Sequence, residues 1–198
     1  TDADQVPDGA VARLLGAVAV HRLVLGERLA AAADGAAPPA ERAEPWRVVP
    51  AEPTGPPSGV AASAVLPLVT AEDLAGQAWE VVAARREDDA RTTAAERATA
   101  HRDRAEAWAV STQVAGTGLD PRRTSYALPA GLLSGEDAAS TTGLADLETG
   151  LADAYATLAA QAAPAARASL LAAVADATAA AAALTGRVPV LPGMPEQA

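Results

Sequence analysis

The sequence predicts an all-α protein: an up-and-down helical bundle with one additional N-terminal helix and a proline-rich strap. Three observations support this prediction. Five segments carry apolar side chains at spacings of three and four residues, which place them on one face of a helix. The short links between the second and third helices, and between the fourth and fifth, favour antiparallel hairpins. Eight prolines are concentrated in residues 36–69, where helices and central strands are excluded.

The N-terminal segment, residues 1–35, contains the first predicted helix, over residues 8–34. Asp8 suits the N-cap and Gly35 the C-terminal stop. The predicted inward face consists of Val11, Leu14, Leu15, Val18, Leu25 and Leu29. Such a wide apolar face requires cover, because burying each side chain is worth about 1.5–3 kcal/mol. We expect it to pack on its own bundle, and the alternative is pairing with a second copy in a homodimer.

Residues 36–69 are predicted to form the strap, a long irregular linker, with Trp46 anchoring it on the bundle. The bundle is then expected over residues 70–198, with Thr70 capping its first helix. Its later helices are predicted over residues 92–114, 138–161 and from Pro164 to about Thr185. The C-terminal tail is expected to be extended and to pack back through Val188, Val190, Leu191 and Met194.

Composition excludes several classes of protein. The formal net charge of −10 argues against a nucleic-acid binder, which needs a basic face. The absence of Cys excludes disulfides and thiolate metal sites. No run of 18 apolar residues occurs, so no transmembrane helix is predicted in this chain. Lys, Ile, Asn and Phe are all missing while Ala supplies about 28% of the residues, which indicates a high-GC genome.

Catalytic signatures are missing as well: the sequence has neither a phosphate-binding loop with its Lys nor a GxSxG motif. The two histidines, His21 and His101, fall on apolar helix faces, and both are interpreted as structural. We expect His101 to hydrogen-bond a carboxylate from a neighbouring helix, either Glu72 or Glu148. Trp79 and Trp108 are expected in the core, and Arg85 or Arg104 is expected to reach a buried carboxylate.

A helical bundle with inward carboxylates also raises the question of a di-metal site. Such sites use Glu-x-x-His pairs, and this sequence contains none. The candidate metal ligands are therefore few: Glu72, His101, Glu106 and Glu148. We expect these carboxylates to be solvated or paired with Arg instead, with no metal, no cofactor and no catalytic residue.

From residue 70 onward the chain resembles the actinobacterial ferritin-like domain of unknown function. The resemblance is carried by residues 101–106 (His-Arg-Asp-Arg-Ala-Glu), 126–129 (Tyr-Ala-Leu-Pro), 147–155 and 191–196. It implies a ferritin-like four-helix bundle and, because many members follow an export or lipoprotein signal, a location at the cell envelope. Where members often have Glu-His followed by an aromatic residue, this chain has Glu72, Asp73 and Gln77. That difference weakens a metal or redox role.

Together these features predict a non-enzymatic binding or structural module at the cell envelope of a high-GC bacterium. We expect it to be exported and membrane-anchored through an upstream lipoprotein signal whose lipidated Cys precedes Thr1. The partner would be an unidentified protein or small molecule. The first alternative is a ferritin-like metalloprotein with a degenerate carboxylate/His site, and a second is an intracellular partner-binding bundle.

Overall fold

The computed structural model describes residues 2–35, 46, 55–134 and 137–197, and over these residues every regular element is helical. The helices are α1 (Asp2–Gln5), α2 (Gly9–Asp34), α3 (Ala62–Ala83), α4 (Asp88–Ser111), α5 (Ala130–Ser134), α6 (Asp137–Gln161) and α7 (Ala168–Thr185). A 3₁₀ turn, Pro195–Gln197, follows. The all-α prediction is confirmed for the described part of the chain.

The chain divides into two compact units. The terminal unit comprises Thr1–Val49, Pro57–Val60 and Thr149–Ala198, and the central unit comprises Pro50–Pro56 and Ala61–Glu148. The division falls inside α6, so that one helix contributes its first half to the central unit and its second half to the terminal unit.

Helix α2 begins and ends where the sequence predicts. The Asp8 carboxylate accepts hydrogen bonds from the backbone N–H groups of Ala10 and Val11, at 2.8 and 3.1 Å. Gly35 ends the helix in the left-handed conformation, with φ of 67°, and its N–H donates to the Ala31 carbonyl. The cap residues therefore confirm both ends of the N-terminal helix.

The predicted inward face of α2 is wrong. The residues that are buried are Ala12, Gly16, Ala17, Val20, Val24 and Ala31, and they lie on the opposite side of the helix. Five of the six predicted residues are exposed instead: Val11 by 44%, Leu14 by 42%, Leu15 by 38%, Leu25 by 37% and Leu29 by 62%. The sixth, Val18, is half-buried. The small buried residues explain the difference, because they allow α2 to approach α7 closely. A Cβ atom on Gly16 would lie 2.5 Å from Leu171 Cδ2.

A buried arginine joins three segments of the terminal unit. Arg167 is 1% exposed, and its Nε donates to the carbonyls of Ala159 and Ala162 at the end of α6, both at 3.0 Å. Its Nη1 donates to the carbonyls of Ala3 and Val6, at 3.2 and 2.5 Å. The guanidinium thus satisfies backbone acceptors that these helix ends leave free.

The rest of the terminal unit follows the prediction more closely. In α6, Leu151, Tyr155 and Leu158 are buried as expected. Helix α7 ends at the predicted stop, since Gly186 adopts φ of 74°. The tail departs from its prediction at Val190, which is 76% exposed, whereas Pro192 and Gly193 are buried.

The first helix of the central unit starts earlier than predicted. Helix α3 begins at Ala62, eight residues before Thr70, and Pro67 lies inside it. Proline in the second turn removes one backbone hydrogen bond, yet the helix continues to Ala83. Residues 62–69 of the predicted strap are therefore helical. Apart from Trp46, which is half-buried, residues 36–54 of that prediction lie outside the described residues.

Helices α3 and α4 pack against each other in the central unit, joined by residues 84–87. The short connection and the contacts described below make them an antiparallel pair, as predicted. Helix α4 starts at Asp88 rather than Thr92 and ends at Ser111. The short helix α5 was not expected in the loop before α6.

Two helices, α2 and α7, are long and apolar enough to cross a membrane by length and composition alone. A core helix of a folded protein meets the same test, and α7 matches that description with ten buried residues. The absence of a spanning helix remains a prediction.

Candidate functional site

His101 on α4 is fully buried between two carboxylates. Its Nδ1 lies 2.5 Å from Glu72 Oε2 on α3, and its Nε2 lies 3.1 Å from Glu148 Oε1 on α6. Both carboxylates are themselves fully buried. The prediction of a hydrogen bond from His101 to Glu72 or Glu148 is confirmed, and both hydrogen bonds are present.

Two arginines on α4 complete what we call the His101 cluster: Glu72, Arg97, His101, Arg104 and Glu148. Arg97 donates to Glu148 through Nε at 2.9 Å and through Nη2 at 2.6 Å. Arg104 Nε lies 3.2 Å from Glu72 Oε1. Each carboxylate therefore faces both a guanidinium and one edge of the imidazole. The expectation that Arg104 reaches a buried carboxylate is confirmed.

Helical spacing brings these side chains together. Arg97, His101 and Arg104 are separated by four and three residues, so they lie on one face of α4. Trp108, four residues further along, continues that face and is 6% exposed. Trp79, seven residues after Glu72 on α3, donates its indole N–H to Glu148 Oε1 at 2.9 Å. Trp108 therefore lies in the core as predicted, whereas Trp79 is only half-buried and contacts the cluster from its edge.

The charges around Glu148 determine which atom donates in its contact with His101. Burial raises the pKa of Glu148, but the nearby Arg97 and His101 outweigh it and hold that pKa far below its usual value. Glu148 is therefore ionised at neutral pH and can only accept, so His101 Nε2 carries a proton. Two carboxylates thus meet two guanidiniums and a shared imidazole inside the protein.

The cluster does not fit a metal centre. The two imidazole nitrogens point in divergent directions, so Glu72 and Glu148 lie at opposite edges of the ring and cannot converge on one ion together with it. The adjacent guanidiniums would also repel a cation. Within residues 2–35, 46, 55–134 and 137–197, no group of three or more His, Asp or Glu side chains is placed to hold a metal.

The fourth candidate ligand, Glu106, lies apart from the other three. Its side chain is 55% exposed and pairs with Arg122, which also binds Asp120 at 2.6 Å. These contacts lower the pKa of Asp120 to about 2, chiefly through the hydrogen bond from Arg122. The structure therefore brings together Glu72, His101 and Glu148 and leaves Glu106 on the surface.

A second polar group holds the loop after α4 against α3. The Tyr126 hydroxyl donates to Asp73 Oδ2 at 2.7 Å, and the Tyr126 N–H donates to Gln77 Oε1 at 2.8 Å. Arg102 bridges Asp73 and Glu80, with 2.8 Å from its Nη2 to Glu80 Oε2. Asp73 and Gln77, the residues that depart from the resembled pattern, thus anchor Tyr126.

The remaining candidates have ordinary partners. His21 Nδ1 lies 2.7 Å from the Pro189 carbonyl, within the terminal unit. Arg85 donates to the backbone carbonyls of Leu132 and Leu133, so it does not reach a buried carboxylate.

Sequence reasoning missed two arginines, the half-buried Arg97 and the buried Arg167. The spacing of Arg97, four residues before His101, was a usable signal that it shares the face of that histidine. Arg167 gave no such signal, because its partners are backbone carbonyls at distant positions in the chain.

Comparison with known proteins yields one match. Residues 61–196 match the family model of a domain of unknown function, DUF4439. No curated protein and no solved structure matches the chain. The matched region starts one residue before α3 and includes the whole His101 cluster, whereas α1 and α2 precede it. The match covers more than half of the sequence, and the chain therefore belongs to the DUF4439 family.

Proposed function

We propose that this chain is a non-enzymatic binding or structural module at the cell envelope of an actinobacterium, and that it binds a protein partner through α2. Its family domain would adopt a ferritin-like four-helix bundle with the His101 cluster as a structural core in place of a metal. The observation that supports a binding role is the exposed apolar surface of α2, which a monomer in water leaves uncovered.

A set of residues on the outer side of α2 follows a coiled-coil repeat. We define the α2 stripe as Val11, Leu15, Val18, Arg22, Leu25 and Leu29. Their spacings alternate between four and three, so that they continue along one side of the helix for nearly three heptads. This is the pattern with which one helix packs on another. A partner helix is therefore the occupant that suits the surface best.

A second copy of the chain supplies a complementary helix. In an antiparallel pair centred at position 20, Val11 would face Leu29 of the second copy, Leu15 would face Leu25, and Val18 would face Arg22. This arrangement keeps the two Arg22 side chains apart, whereas a parallel pair would place them opposite each other. Helix α2 carries three arginines and two acidic residues, Glu27 and Asp34, so it has no negative net charge of its own. The overall charge of −10 therefore does not produce repulsion at this surface.

Sedimentation velocity of the full chain over a wide concentration range tests the pairing. We expect a concentration-dependent dimer that the double variant Leu15→Glu, Leu25→Glu converts to a folded monomer. Leu119→Glu is the matched control, because Leu119 is 77% exposed but lies outside the stripe. A chain that stays monomeric, or a dimer that the double variant does not weaken, would overturn the second-copy proposal.

The same variants distinguish a membrane from a protein partner. A chain that is monomeric in solution but co-sediments with phosphatidylglycerol–phosphatidylethanolamine vesicles, and that loses this binding in the double variant, would assign the stripe to a lipid surface. That result would replace the second-copy proposal.

Two further measurements test location and the metalloprotein alternative. A signal sequence ending in a lipidated Cys, encoded upstream of Thr1, together with membrane fractionation of the native protein, is the expected support for envelope anchoring. Protein purified without chelator is expected to contain no stoichiometric iron, manganese or zinc by elemental analysis. Stoichiometric metal would instead favour the metalloprotein.

A further inference from the structure

The C-terminal tail, residues 188–197, lies against α6 and α7 within the terminal unit. Pro192 and Gly193 are buried, and a Cβ atom on Gly193 would lie 2.4 Å from Ala156 Cβ on α6. Leu191 and Met194, on either side of them, are half-buried. The tail therefore packs on the two helices chiefly through apolar contact.

The backbone of the tail is not paired with α6 or α7 in the described part of the chain. Its backbone hydrogen bonds are internal: the Met194 N–H donates to the Leu191 carbonyl at 3.2 Å, and the Gln197 N–H donates to the Met194 carbonyl at 3.0 Å. A terminal segment without such pairing can detach while the helices beneath it stay folded.

Two side chains of α2 supply polar attachments for the tail. Arg13 Nε donates to the Gly193 carbonyl at 2.9 Å, and Arg13 Nη1 pairs with Glu196 at 3.1 Å. His21 Nδ1 lies 2.7 Å from the Pro189 carbonyl. These contacts lie at the edge of the tail that faces α2, so the attachment to α6 and α7 depends on the apolar side chains.

Met194 carries the only sulfur atom of the protein, because the sequence has one Met and no Cys. Its side chain lines a groove of about 140 Å³ between the tail, α6 and α7, and this groove is partly open to solvent. A small oxidant can therefore enter beside the thioether. The surrounding side chains are mostly apolar and include Ala152, Ala181 and Leu191.

Oxidation would make this contact polar. When a thioether reacts with a hydroperoxide, a sulfur lone pair forms the S–O bond and the O–O bond breaks. The proton of the transferred oxygen moves to the leaving oxygen, which departs as water or an alcohol. The sulfur loses two electrons and the peroxide gains them. The sulfoxide oxygen then needs a hydrogen-bond donor, which alanine and leucine side chains lack.

We propose that Met194 is a site of reversible oxidation by hydroperoxides, and that its sulfoxide releases the C-terminal tail from α6 and α7. The reduced thioether keeps the tail packed, whereas the sulfoxide is better solvated by water. Release exposes the apolar surface that the tail covers and frees Arg13 and His21 of α2. A methionine sulfoxide reductase returns the side chain to its original state. The switch depends neither on the α2 stripe nor on the His101 cluster.

Hydrogen–deuterium exchange of the full chain, measured by mass spectrometry before and after treatment with hydrogen peroxide, tests the proposal. We expect peptide mapping to find one added oxygen atom on Met194 of the folded protein. The amides of residues 188–197 should then exchange roughly tenfold faster, because the sulfoxide favours the detached tail. The amides of α3 and α4 should keep their rates. Methionine sulfoxide reductase should restore the original exchange.

Met194→Leu is the matched control, because it keeps an apolar side chain of similar volume and has no sulfur. Its tail should exchange slowly both with and without peroxide, whereas Met194→Gln should exchange fast without peroxide. Circular dichroism establishes that each variant is folded. Resistance of Met194 in the folded chain, under conditions that oxidise it in urea, would overturn the proposal. So would a sulfoxide that leaves the exchange unchanged, or an equal acceleration in peroxide-treated Met194→Leu.

Discussion

At the scale of single residues, buried charge in this protein is organised so that each carboxylate of the His101 cluster faces an arginine. Glu148 receives hydrogen bonds from Trp79, Arg97 and His101. Removing one member therefore takes one charge-assisted hydrogen-bond partner from its buried neighbours, in a medium that solvates them poorly.

Replacing His101 with Ala should reduce the free energy of unfolding by about 1–3 kcal/mol, through lost hydrogen bonds and a small void. The imidazole separates Glu72 from Glu148, and its loss leaves a void and two neighbouring carboxylates. Urea denaturation followed by circular dichroism measures the effect. Thr99→Ala is the control, because Thr99 is exposed on the same helix, and its change should be small. A loss below about 1 kcal/mol for His101→Ala would contradict the described cluster.

Tyr126 provides a prediction about pH. Burial and its hydrogen bond to Asp73 raise its pKa from 10.0 to about 12. Because the folded pKa exceeds the unfolded one, the neutral phenol stabilises the fold fully below pH 10, and this contribution is lost as the pH rises from 10 to 12. The stability difference between the unmodified chain and Tyr126→Phe should therefore shrink over that interval.

Absorbance titration of the phenolate in a Tyr155→Phe background isolates Tyr126, since the chain has two tyrosines. We expect an apparent pKa near 12. Titration near 10 in the folded protein would show that the contact with Asp73 does not form in solution.

At the scale of helices, the glycines of α2 report how closely it packs. A Cβ atom on Gly9 would lie 1.9 Å from the Ala160 carbonyl oxygen, whereas Gly26 has open space around it. Gly9→Ala should therefore destabilise the protein by about 1–3 kcal/mol, because backbone has to move. Gly26→Ala should stabilise it by about 0.5–1 kcal/mol, because alanine is the better helix former.

Thermal and urea denaturation of these two variants form a matched pair on one helix. Similar small effects for both would mean that the first turn of α2 is not packed against α6. If Gly26→Ala destabilises the protein, the outer face of α2 is in closer contact with other atoms than its solvent exposure indicates.

The helices also show which features the sequence can predict. Asp8, Gly35 and Gly186 act on neighbouring backbone groups, so the ends of α2 and α7 follow from local chemistry. The buried face of α2 does not follow from local chemistry, because the helix is apolar on both sides. Only the position of α7 determines which side is buried. The start of α3 was missed because a proline inside a helix is locally unfavourable yet tolerated in the folded protein.

The candidate site was predictable to a similar extent. Helical spacing indicated the contacts of His101 with Glu72 and Glu148, since a buried histidine seeks carboxylate partners on adjacent helices. Helical spacing could not show that Glu106 lies on the surface while the other three candidates are buried. Neighbouring positions on α4 point in different directions, so a small error in the assumed orientation of the helix moves a side chain from core to surface.

At the scale of the whole molecule, the family domain and the compact units do not coincide. The match starts at residue 61, but the terminal unit combines α1 and α2 with residues 149–198. Helix α2 covers Leu171 on α7, and the first residues of the chain accept hydrogen bonds from Arg167. The family domain in this chain therefore depends on segments that lie outside its own boundaries.

Deleting residues 1–60 should consequently destabilise the remaining chain and promote its aggregation. The deletion uncovers the apolar surface of α7 around Leu171 and leaves the Arg167 guanidinium without the carbonyls of Ala3 and Val6. We expect a lower melting temperature and increased binding of a hydrophobic dye. The full chain with Leu15→Glu and Leu25→Glu is the control, because it removes the exposed stripe while keeping the buried face of α2. If residues 61–198 remain monomeric and melt at the temperature of the full chain, α2 is an independent appendage. Its small buried residues would then have to be explained by a contact other than the one with α7.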